Sequence, residues 1–88
     1  MHELIKGFVN KYQQDRLYIE RNIVHLWKSE MGEFIAKNTA SVEIQHGILY
    51  VKMNSAALRF EMMNRKSLLI QQLNEKTKSN VLKDIIFI

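Results

Sequence analysis

Ser41-Val42-Glu43-Ile44-Gln45-His46-Gly47-Ile48-Leu49-Tyr50-Val51-Lys52-Met53 decides the fold of this chain. In its first half Val42 and Ile44 alternate with Ser41, Glu43 and Gln45; in its second, Leu49, Val51 and Met53 alternate with Ile48, Tyr50 and Lys52. A period of two marks strands with one buried face. His46-Gly47 stands between them as a two-residue turn, with glycine supplying the positive φ that such hairpins require. The register follows. A turn at 46–47 sets Ile44 opposite Leu49 and Val42 opposite Val51, apolar against apolar, and leaves Glu43 facing Tyr50 and Ser41 facing Lys52. A slip of one residue would mix the two faces.

Downstream, Ser55 is placed to N-cap a long helix over about 56–77. Its core stripe is Leu58, Met62, Leu69 and Leu73, while Phe60, Met63 and Ile70 project from roughly the opposite side. Polar residues 74–80 close it, and 81–88 read as a last strand, with Val81, Ile85 and Phe87 on one face and Leu82, Ile86 and Ile88 on the other. Upstream, Leu4, Ile5, Phe8, Val9 and Tyr12 give an amphipathic helix over 3–12, with Gly7 inside it. Asp15 is then an N-cap for a second helix. One apolar stripe of that helix is Leu17, Val24, Met31 and Ile35, with Trp27 and Phe34 beside it; Ile19, Ile23 and Leu26 form another. Trp27 reads as a core anchor, and Gly32 as a bend or close contact before 34–37 finish the helical region. The layout is helix, helix, hairpin, helix, strand. It predicts a single α+β domain over 1–88, the 3–12 helix extending a core of about 17–88, with a three-stranded sheet packed by helices on one face.

Composition closes other doors. Eighty-eight residues make one small domain, and a deep catalytic cleft is hard to build in so thin a shell. With no cysteine there is no disulfide framework, thiolate metal site or thiol nucleophile. His2, His25 and His46 lack the His-x-x-x-His spacing of two ligands on one helical face. No glycine-rich phosphate loop, nucleophile elbow or paired-carboxylate motif is present. The chain reads as a non-enzyme without cofactor, metal site or membrane span, and as a cytoplasmic domain.

Binding surfaces remain. Residues 55–88 hold six Lys/Arg against three Asp/Glu, most of the net +4. Arg59, Arg65, Lys66, Lys76 and Lys78, with Lys52 on the hairpin, could form a phosphate-neutralising stripe for DNA or RNA, or simply a solubilising surface. Outward-facing Tyr50 could stack a base or join a partner surface. Phe60, Met63 and Ile70 widen the last helix's apolar face. Internal packing is the expected cover, because small domains use all their helices; left exposed, the patch would bind a protein or a second copy.

The order of these residues is itself informative. Trp27 with Gly32; Ile35-Ala36-Lys37-Asn38-Thr39; the turn and strand His46-Gly47-Ile48-Leu49-Tyr50-Val51; Ser55-Ala56-Ala57-Leu58-Arg59 with Glu61; Leu68-Leu69, then Leu73-Asn74; and Val81 with Ile85 and Phe87 follow one another as in a known family. Over about 17–88 the chain resembles the bacterial DciA family. The resemblance implies a KH-like α+β domain and a non-enzymatic adaptor that recruits or loads the replicative DNA helicase of the DnaB type. Two departures stand out. No Gly-x-x-Gly loop is present, so the backbone clamp of true KH domains is not implied. Met62-Met63 stands where relatives more often have Leu and a small polar residue.

Overall fold

The computed structural model describes the backbone of residues 2–88 and the side chains of residues 15–88. The elements run α1 (His2–Glu30), α2 (Glu33–Lys37), β1 (Thr39–Gln45), β2 (Ile48–Met53), α3 (Ala56–Asn64), α4 (Lys66–Thr77) and β3 (Asp84–Phe87). The α+β layout predicted from the sequence holds. Its three strands lie in the order β1-β2-β3, with β1 antiparallel and β3 parallel to the central strand.

The hairpin adopts the register its alternation requires. Val42 pairs with Val51, Ile44 with Leu49, Glu43 with Tyr50 and Ser41 with Lys52, after one irregularity between Thr39 and Ser41. His46 and Gly47 take φ values of 52° and 79°, the pair of left-handed residues that matches a two-residue turn to the strand twist. On the far side Leu49 pairs with Ile85 and Val51 with Phe87. These residues, with Val42 and Met53, make the buried sheet face; Glu43, Lys52 and Ile86 on the other face are exposed. All helices therefore serve one side.

Trp27 is the anchor of that side. It is fully buried, its ring centroid lies 5.9 Å from that of Phe87, and its indole N–H donates to Thr39 Oγ1 at 3.3 Å. The Thr39 hydroxyl in turn donates to the Ile35 carbonyl at 2.8 Å. A buried indole thus finds the polar partner it needs.

Several expectations about the helices and the last strand are corrected. The separate 3–12 helix and the second helix are one continuous α1, so Asp15 sits inside it and caps nothing. No proline stands anywhere to stop the helix, and a single interior Gly7 costs only about 1 kcal/mol. The apolar side chains at positions 4–12 lie outside the described residues. On the described part of α1 the buried face is Glu20, Ile23 and Trp27, whereas Leu17, and Phe34 of α2, are exposed. Gly32 is a bend alone: at φ 93° it ends α1, and nothing approaches where its Cβ would be.

The predicted 56–77 helix breaks at Arg65, whose φ and ψ are −106° and 10°. The Arg65 N–H turns back to the Met62 carbonyl at 3.0 Å, one residue short of an α-helical bond. Leu58, Met62, Leu69 and Leu73 are nevertheless all buried, as their stripe requires. The break lets α3 lie on β2 and β3 while α4 turns toward α1 and β3. Ser55 caps α3 as expected, its Oγ accepting from the Leu58 N–H at 3.2 Å.

The last strand is shorter than 81–88. Leu82 lies outside it and is buried rather than on an outer face. Asn74 substitutes for a strand partner there: its Nδ2 donates to the Leu82 carbonyl at 2.9 Å and its Oδ1 accepts from the Leu82 N–H at 3.0 Å. Buried backbone groups need such partners, and an asparagine amide supplies both a donor and an acceptor.

Candidate functional site

No group of three or more His, Asp or Glu side chains is placed to hold a metal ion among the described residues. His25 and His46 are exposed and belong to different elements. No helix among the described residues is long and apolar enough to cross a membrane. Two features of the described residues stand out.

The first is the outward face of α3. Phe60 follows the buried Leu58 by two residues, about 200° around the helix, and so points away from the sheet. It is 67% exposed, and Met63, one turn on, is 50% exposed. The expectation that the domain's own helices cover this patch is thus overturned; Ile70 on α4 alone packs partly against the core. The exposed ion pair between Arg65 and Glu61, at 3.2 Å, belongs to the same helix and its terminus. An aromatic and a methionine beside paired charges resemble the centre and rim of a protein interface. Tyr50 is half-buried on the sheet's open face, away from this patch.

The predicted basic residues are spread over several elements. Lys52 is on the open sheet face and Arg59 on α3. Lys66 and Lys76 are ten residues apart on α4, roughly 15 Å along the axis. Lys66 pairs with Asp84 at 3.2 Å, and Lys76 approaches Glu30 at 3.8 Å, which ties α4 to β3 and to α1. Arg65, Lys66 and Lys76 thus already face carboxylates. Lys78, in a left-handed conformation, ends α4.

A second feature was not legible in sequence. The His46-Gly47 turn is held between α1 and the segment before β3. Glu20, 5% exposed, accepts the Gly47 N–H at 2.9 Å, and the Gly47 carbonyl accepts the Lys83 N–H at 2.7 Å. A Cβ on residue 47 would stand 2.7 Å from the Val81 carbonyl, so glycine is required for approach as well as for φ. Beside this junction opens a cleft of about 440 Å³, lined among others by Asp15, Arg16, Ile19, His46, Val81 and Lys83.

A family model described as "Dna[CI] antecedent, DciA" matches residues 1–87. No curated protein matches the chain, and no solved structure does.

Proposed function

The chain belongs to the DciA family, and from that premise we propose that it is a non-enzymatic adaptor that recruits or loads the DnaB-type replicative helicase in bacterial DNA replication. The family match over residues 1–87 carries this reading. The α3 face adds a physical route to it. Phe60 and Met63 are the large apolar side chains that a binding partner would desolvate, and interface energy concentrates in such residues. Arg59, on the same helix, and the paired Arg65 would form the polar rim, with Ile70 at the inner margin.

Adaptor work requires no reaction inside the domain. It requires a rigid platform whose contact residues stand on regular elements, and α3 is pinned by the buried Leu58 and Met62. The test is retention of the host's purified replicative helicase on the immobilised chain. Wild type is expected to retain it. Phe60→Ala is expected to weaken retention by roughly tenfold or more without unfolding the domain, and Arg59→Glu to weaken it less. No retention by wild type would reject the reading.

A further inference from the structure

The cleft between α1 and the segment leading into β3 carries chemistry that the helicase reading does not use. Arg16 reaches it from α1, His46 from the hairpin turn and Lys83 from the approach to β3; Asp15 of α1 is also in its lining. Neither Arg16 nor Lys83 forms an ion pair among the described residues. Arg16 Nε is buried and has no hydrogen-bond partner among the described residues. Arg16 as a whole is only half-buried, so part of its guanidinium stays accessible at the cleft. Ile19 and Val81 supply apolar walls beside it. The volume, about 440 Å³, falls within the range of sites that enclose a ligand, roughly 300–1,000 Å³.

The geometry points to a recognition site for an acidic side chain flanked by aliphatic residues, presented by a protein partner. A carboxylate matches a two-donor edge of a guanidinium, and Arg16 brings a guanidinium to the cleft lining. Lys83 adds a second charge. The apolar walls favour an acid carried on hydrocarbon over a bare inorganic anion. Asp15 argues in the same direction, since it repels a dianion such as phosphate more than a single carboxylate. The site does not depend on the identity of the protein that supplies the acid, and it is separate from the α3 face.

Nuclear magnetic resonance on the whole, isotope-labelled chain tests this. The probes are the blocked tripeptide acetyl-Leu-Glu-Leu-amide, its Gln counterpart and inorganic phosphate. The acidic peptide is expected to shift the Arg16 Nε–H and the Gly47 and Lys83 amides saturably. The Gln peptide should bind at least about tenfold more weakly, as loss of a charge-assisted pair predicts. Arg16→Gln should abolish saturation; if that variant does not fold, Lys83→Glu, on an exposed side chain, serves the same purpose. Equal shifts from both peptides would overturn the proposal. So would saturation by phosphate without the peptide, no shift at the cleft, or unchanged binding in the variants.

Discussion

Glu20 offers the most direct test of how α1 is joined to the sheet. The residue is 5% exposed, and its carboxylate accepts the buried Gly47 N–H at 2.9 Å across 27 residues of sequence. Glu20→Ala removes that acceptor and strands the amide, which costs about 1–3 kcal/mol when a buried donor loses its partner. Loss of the buried side-chain methylenes adds to this and relief from holding a carboxylate out of water subtracts, so a net loss of roughly 2 kcal/mol is expected. Glu20→Gln keeps an oxygen at the same reach and loses only the charge on the bond, so it should cost less than about 1 kcal/mol. Urea unfolding followed by the fluorescence of Trp27, the one tryptophan and fully buried, measures both variants. For a domain of this size 1 kcal/mol corresponds to about 4–8 °C in Tm, so the Ala variant should melt roughly 8–16 °C lower. Equal stabilities of the Ala and Gln variants, or an Ala variant within 0.5 kcal/mol (~) of wild type, would refute the reasoning.

Asn74→Ala should destabilise by about 1–3 kcal/mol, since both the N–H and the carbonyl of buried Leu82 lose their partner; the Leu82 amide should then exchange with solvent faster. Gly47→Ala should cost about 2–5 kcal/mol in urea unfolding, adding close approach to the Val81 carbonyl to a left-handed φ. Gly32→Ala meets no atom and should cost only the backbone strain, about 1–3 kcal/mol. Lys78→Gly should raise stability by up to about 1 kcal/mol, because Lys78 ends α4 at φ 53° where glycine is unstrained; a lower midpoint would contradict this.

The hairpin was readable to the residue because two signals agreed there. Alternation named the buried face, and Gly47 located the turn between strands. The N-cap at Ser55 and the stripe through Leu58, Met62, Leu69 and Leu73 were equally local and equally visible. The break at Arg65 was not, since neither glycine nor proline marks it and only packing against two different neighbours explains it. Asp15 looked like a cap because capping residues also occur inside helices. Glu20 was invisible for a different reason. A glutamate on a helix is ordinarily solvated, and its partner is an amide 27 residues away that only the folded chain brings near. The Arg16 and Lys83 cleft is likewise assembled from three distant segments. The α3 patch was seen as a set of residues, but its exposure depended on where the other helices went.

The two ladders of the sheet differ in how they can form. β1 and β2 are joined by two residues and can zip from the turn outward, whereas β2 and β3 are separated in the chain by α3 and α4. Loop-closure entropy makes that second, parallel ladder the costlier one to close. Any change that loosens the third strand therefore bares the apolar sheet face to the wrong neighbour.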